Sequence, residues 1–437
     1  MRKVFLVFLS GVGFLGLAVL LYQLPPVHDR LAWRVEEQVL KVKYRLEPPQ
    51  EKLFVPQAAA LPQPQVRVTA LPTAAPPPTE SVARINDPAP TQAPPTSTPV
   101  PTAEILPASV TLSGVVYQDQ HGRFNYCAPA NLAMALMYWD WQGDQDVVGP
   151  VIKPNPKDKN VMPYEMLDYI QSETGLKGVV RVGGDLDDLR RFLAAGYPVL
   201  VEKGVYLNDL TGVKSWMGHY QVLTGYDDEE QLFIVQDSYT GPDFEVAYDY
   251  MIQGWRAFNY LYLIVYPPEQ ESEVLTLLGD DADETVNYQN AALKASNEVY
   301  GLQGIDQFFA WFNRGTNLVA LQDYAGAAAA YDAAFSEVYP NLPVDERPWR
   351  MVWYQTGPYF AYYYTGRYWD VFSLAENTLE SMQSDKNLEE SYYWRAMAKA
   401  ALGDSAGAID DYRSSLLYHP DFGPSLYQLQ VMGVSSE

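Results

Sequence analysis

Residues 219–237 read HYQVLTGYDDEEQLFIVQD, two runs rich in β-branched and aromatic residues separated by an acidic turn. Strand HYQVLTG, turn YDDEE and strand QLFIVQD describe a β-hairpin. A loop symmetric about Asp228 makes Val222 face Ile234 and His219 face Asp237. Directly opposed side chains have Cβ atoms about 4.5–5.5 Å apart, close enough for an imidazole–carboxylate hydrogen bond. A slip of one residue sends the two side chains to opposite faces, so everything built on this pair depends on the register. A hairpin with two polar end residues and no shared role is the other reading these residues allow.

Working outward, the 437-residue chain has four histidines and one cysteine. His28 follows an apolar N-terminal run and His419 lies far downstream in LYHPDF, which leaves His219 as the well-placed imidazole. The cysteine, Cys127, heads NYCAPANLAMALMYW. Pro129 suits a first helical turn, where its missing N–H has no partner to lose. Ala130, Ala133, Met134 and Met137 then recur at helical spacing. Cys127 is therefore expected at a helix N-terminus, where unpaired N–H groups and the helix dipole favour a thiolate. A small core residue at a helix start is the alternative. A lone cysteine makes no intramolecular disulfide and, without a neighbouring histidine, a poor metal site. A nucleophilic thiol needs a base and a group that orients the base, and the hairpin offers both.

The segments NYCAPANLAMALMYW, AAGYPVLVEKG, WMGHYQVLTGYDDEEQLFIVQDSY and WRAFNYLYLIVYP, in that order, resemble the bacteriocin-processing, double-glycine-leader (C39-like) family of papain-like cysteine peptidases. The resemblance covers roughly residues 108–268 and implies an α+β papain-like domain. By that resemblance Cys127 is the nucleophile, His219 the general base and Asp237 its orienting partner. Ala128 stands where family members usually have glycine. Such peptidases also place a glutamine upstream of the cysteine, whose amide helps the cysteine N–H hold the oxyanion. Gln120 is the first candidate, given one extra residue in HGRFNY, and Gln118 the second; His121 is a donor or a polar loop residue. Trp216 and Met217, just before His219, line a substrate cleft or pack in the core. No metal ligands and no cofactor are implied: Asp227–Glu230 and GDDADE lack the ligand spacing of a calcium-binding hand.

The rest of the chain supplies context. Net charge is −24, which argues against nucleic acid as a partner. Residues 1–45 run against that trend, with seven Lys/Arg against three acids. Val4–Tyr22 is an uncharged apolar run close to the roughly 20 residues that span a bilayer, so residues 1–23 are expected to form an uncleaved transmembrane anchor. The positive-inside bias places the short N-terminus in the cytoplasm, giving a single-pass cell-membrane protein with its C-terminal domains extracytoplasmic. Residues 24–107 read as a juxtamembrane segment and proline-rich stalk, since Glu47–Pro107 holds 16 of the 33 prolines. Residues 269–284 read as a linker. Over 285–437 the pattern is helical: Gly315, Ala327, Tyr331 and Ala334 recur as Ala396, Ala408, Tyr412 and Ser415 at the same offsets, with Pro420 following. This resembles about three tetratricopeptide (TPR) repeats, an all-α solenoid. The Tyr354–Tyr368 aromatics form its packing or a groove for a protein partner.

Together these features predict a membrane-anchored cysteine peptidase hydrolysing peptide or protein substrates, with TPR repeats for docking. A catalytically inactive papain-fold and TPR scaffold, and a transglutaminase-like acyltransferase, use the same residues. Thiol reactivity and product analysis with an added amine separate the three.

Overall fold

The computed structural model describes residues 22, 25–57, 106–209, 212–383 and 386–436. Helix α1 (Pro25–Leu46) is followed by an extended strap, residues 47–57. The predicted anchor over 1–23 lies outside the described residues apart from Tyr22, as does the stalk over 58–105. Among the described residues no helix is long and apolar enough to cross a membrane.

A seven-stranded sheet follows, made of β1 (Ser109–Thr111), β2 (Lys177–Arg181), β3 (Val199–Asn208), β4 (Lys214–Asp227), β5 (Leu232–Asp237), β6 (Gly241–Ala247) and β7 (Tyr262–Tyr266). The spatial order is β2-β7-β3-β4-β5-β6, with β1 beside the end of β4, and every pair is antiparallel. Successive strand residues point to opposite faces, and both faces are covered. Leu200, Val222, Leu263 and Val265 pack with α2 (Cys127–Met137), α3 (Gln145–Ile152) and α4 (Pro163–Glu173). Their neighbours Val199, Val201, Leu223 and Ile264 pack with α5 (Leu186–Ala194), α6 (Tyr248–Arg256) and α7 (Glu271–Leu278). This two-sided burial explains why PVLV and YLIV read as continuous apolar runs rather than alternating ones.

The C-terminal region is helical: α8 (Glu284–Gly301), α9 (Gly304–Ala320), α10 (Tyr324–Asp332), α11 (Met351–Tyr354), α12 (Gly357–Tyr364), α13 (Tyr368–Ser381), α14 (Glu389–Ala401), α15 (Ser405–Tyr418) and α16 (Gly423–Val431). Consecutive helices pack on one another along most of this array. The repeated spacing has a physical basis at two places. A Cβ at Gly315 would stand 2.6 Å from the Tyr331 ring, so that helix contact needs glycine. Asp323 and Asp404, at equivalent positions, cap α10 and α15 by accepting Gly326 N–H and Gly407 N–H, each at 2.9 Å.

Two expectations are corrected. The stretch 269–284 is folded rather than a plain linker, because Val274 and Leu278 of α7 are buried in the sheet-side core. The first part of the stalk is also folded. Phe54 is buried between Phe335 (5.2 Å, edge-on) and Tyr362, and Gln57 N–H donates to Asp370 Oδ1 at 2.7 Å. Of the two readings of the Tyr354–Tyr368 aromatics, Tyr359 and Tyr362 follow the packing one: both are fully buried, and the segment is split over α11, α12 and the start of α13.

The two units share one core. Trp216 and Phe258 of the sheet unit cluster with Phe308, Phe309 and Phe312 of α9. Asn259 and Asn317 exchange amide hydrogen bonds at 2.6 and 3.1 Å, and Arg350 reaches Ser215 Oγ at 2.6 Å.

Candidate active site

Cys127 is the first residue of α2, a helix so enclosed that Ala128 through Leu136 are all buried. Cys127 is itself half-buried, with the His219 ring and the Tyr220 N–H close enough to act on its thiol. Ala128 is an ordinary helical residue with no positive φ, so nothing in the backbone there demands glycine.

His219 lies on β4 and Asp237 ends β5, but the pairing is not the symmetric one. Asp227 pairs with Leu232, Tyr226 with Phe233 and Gly225 with Ile234; then Leu223 pairs with Val235 and Val222 with Gln236. Thr224 is therefore an extra residue, a β-bulge on β4. Val222 does not face Ile234, and continuing the ladder sets Gln221, not His219, opposite Asp237. The error is two residues, which preserves the face. His219 and Gln221 thus both reach the carboxylate, His219 Nε2 at 3.0 Å from Oδ1 and Gln221 Nε2 donating to Oδ2. Oδ1 also accepts Tyr239 N–H (2.8 Å) and Thr240 N–H (2.9 Å). With Nε2 committed to Asp237, Nδ1 is the ring nitrogen left for the thiol.

The electrostatics follow from these contacts. Burial pushes the Asp237 carboxyl up, but the His219 charge and hydrogen bonds outweigh it and hold the group well below the usual carboxylate range. Burial pushes His219 down, yet Asp237 and the thiol win, raising it to about 9. Burial also opposes the Cys127 thiolate, while His219, the Tyr220 N–H and Lys153 favour it more, leaving the pKa lowered. The arrangement supports a thiolate–imidazolium pair. Glu202, buried in the same cleft, is pushed well above the usual carboxylate range by desolvation.

Gln120 and Gln118 are separated by their contacts. Gln120 lines the cleft, its Oε1 accepts Ser238 Oγ–H at 2.7 Å, and its N–H donates to Ser238 O at 3.0 Å. The amide NH2 is thereby left as its cleft-side donor. Asn131 extends the chain of bonds, donating to Ser238 Oγ (2.9 Å) and to Cys127 O (2.8 Å). Gln118 instead turns toward Met137 Sδ (3.7 Å). The added length of the 121–126 loop is taken up by left-handed turns at Gly122 and Asn125. His121 bonds Asp119 at 2.6 Å on the rim.

Met217 lines the cleft beside His219, whereas Trp216 does not. Trp216 is 2 % exposed, stacked on Phe258 at 5.7 Å in the seam between the units, and corrects the cleft reading for that residue. The cleft has a volume of about 750 Å³. Leu40 and Tyr44 of α1 and Arg350, Trp353 and Tyr354 of the helical unit join its walls. Gln221, Ser238 and Asn131 escaped the sequence reading. Gln221 was findable, lying two residues from His219 on the same strand face; Ser238 and Asn131 depend on tertiary contact.

Residues 112–263 match the family model described as Peptidase_C39 like family, which gives this part of the chain a cysteine peptidase-like fold. Two solved structures are similar to it at 18% identity and a TM-score of 0.28. One is described as a C39-like peptidase from Bacillus anthracis (36% of this chain, 96% of that chain). The other is xylellain, a cysteine protease from Xylella fastidiosa (37% and 87%). No curated protein matches the chain.

Proposed function

We propose that the chain is a cysteine peptidase that hydrolyses peptide bonds through Cys127, His219 and Asp237. The observation that carries this reading is His219, hydrogen-bonded to Asp237 and acting on the Cys127 thiol, with both Cys127 and His219 in the wall of one cleft. The Cys127 thiolate adds to the amide carbonyl, and the new oxyanion takes hydrogen bonds from the Cys127 N–H and the Gln120 amide. The His219 imidazolium protonates the leaving amine as the C–N bond breaks. His219, now neutral, takes a proton from water as its oxygen adds to the thioester carbon; the C–S bond then breaks, releasing the carboxylic acid and restoring the thiolate–imidazolium pair. The N-terminal run anchors the protein in the cell membrane with these domains outside, and the helical array, read as TPR-like, docks a protein substrate or partner.

Cys127→Ala is expected to abolish hydrolysis of a peptide library and labelling by iodoacetamide, while Gln120→Ala lowers kcat about 10²–10³-fold. Unchanged hydrolysis by the Cys127→Ala protein would overturn the assignment. Accessibility of the C-terminal domains to external protease in intact cells tests the orientation.

A further inference from the structure

The seam between the two units holds a second cluster of ionisable groups, formed by none of the residues assigned to peptide hydrolysis. Glu165 of α4, Glu389 at the start of α14 and His419 just after α15 each present one donor atom, and these atoms lie within 4.8 Å of one another. His419 Nδ1 is 3.1 Å from Glu389 Oε1 and 3.8 Å from Glu165 Oε1. Around a tetrahedral ion with bonds of about 2.0–2.1 Å, neighbouring ligand atoms stand about 3.3 Å apart. The two separations bracket that spacing.

The surroundings suit a ligand set. Glu165 Oε2 is held by the Met162 N–H (2.6 Å), which fixes the carboxylate and leaves Oε1 toward the imidazole. Hydrogen bonds to the far side of a ligating group are the usual support of a metal centre. Glu390, the next residue of α14, is only 8 % exposed, yet its carboxyl accepts no hydrogen bond from another described residue. Its charge acts on Glu165, and Asp158 lies within its reach as well. Asp158, 4 % exposed, adds a fourth carboxyl whose charge reaches Glu165, Glu389 and Glu390. Burial of so many carboxyls against one imidazole and Lys153 calls for either protons or a cation.

We propose that Glu165, Glu389 and His419 bind a divalent transition-metal ion of the zinc class, clipping the helical unit to the sheet unit. An imidazole with carboxylates suits zinc better than calcium, which takes six to eight oxygens. The clip also bears on the cleft. Asn387 donates to Lys157 O across the same seam (3.3 Å), and the loop leading to Glu165 carries Lys159, Asn160 and Val161 in the cleft wall.

The test uses the full chain carrying Cys127→Ala, so that the thiol cannot capture the ion. After chelator treatment the protein is dialysed against micromolar zinc or cobalt(II), then read by elemental analysis, cobalt visible absorption and thermal melting. One ion per chain, cobalt d–d bands and a raised Tm are expected. Adding His419→Ala or Glu165→Gln should weaken binding about 10–100-fold or more. Glu165→Gln keeps an acceptor for the Met162 N–H, so it decides the matter where His419→Ala fails to fold. A folded parent chain that retains no ion means the carboxyls hold protons instead, and the proposal falls. Equal retention by the parent and Glu165→Gln chains also overturns it.

Discussion

His219 is the residue through which charge is exchanged at the candidate site, and its environment fixes a pH dependence. Raised to about 9 by Asp237 and the thiol, it stays protonated well above neutrality, while the Cys127 pKa is lowered. The reactive ion pair therefore exists between the lowered thiol pKa and about pH 9. A bell-shaped kcat/KM profile is expected, with its alkaline limb near the His219 value. Asp237→Ala removes the strongest favourable partner, so the alkaline limb should move to lower pH and kcat should fall; a limb that stays in place would show that Asp237 does not set the imidazole. The same shift carries stability. A histidine with an unfolded value of about 6.5 and a raised folded value contributes fully below about pH 6.5 and loses that contribution as pH rises through about 9. At this scale the sequence was informative, because one cysteine and one strand histidine leave few combinations. Ser238 and Asn131 were hidden because a serine or asparagine carries no periodic signal and gains meaning only from what folds beside it.

The hairpin shows how an element reaches a working geometry by a route its sequence does not display. Pairing near the turn, continued without a break, would set Asp237 opposite Val222 and leave His219 on the other face. The bulge at Thr224 advances β4 by one residue and restores the face on which His219 and Gln221 both reach Asp237. A symmetric loop gives a pairing two residues off, yet with the correct face, because side-chain direction has a period of two. The bulge is tied down: Thr224 O accepts Leu112 N–H at 2.7 Å, and Gln236 Nε2 donates to Thr224 Oγ1 at 3.1 Å. Deleting Thr224 should therefore keep much of the sheet while turning His219 away from Asp237. The expected outcome is near-native far-UV circular dichroism with hydrolysis reduced to the Cys127→Ala level. Retained activity in a folded deletion protein would show that the bulge does not set the face.

At the scale of the whole molecule, the sequence marks the apolar faces without saying which face meets which. Trp216 illustrates the limit. Its position beside His219 suggests a cleft, whereas Phe258, Tyr354 and Phe309 enclose it at the seam. Sheet and helical units are thus joined through one continuous core, and Arg350, Trp353 and Tyr354 bring the helical unit to the cleft wall. Two consequences can be measured. Because the core crosses the seam, the wild-type protein should lose sheet and helical structure in a single transition; two separated transitions would contradict a shared core. Trp216→Ala opens a cavity in that seam and should cost about 3–5 kcal/mol. Its effect on catalysis should be selective. Cys127, His219 and Asp237 interact with one another and not with the Trp216 ring, so iodoacetamide labelling of Cys127 should persist. The wall formed by Tyr354 loses its backing, so KM for a peptide should rise more than kcat falls. Loss of labelling and peptide turnover together, in a protein that still folds, would instead mean that the seam holds the reactive pair itself in place.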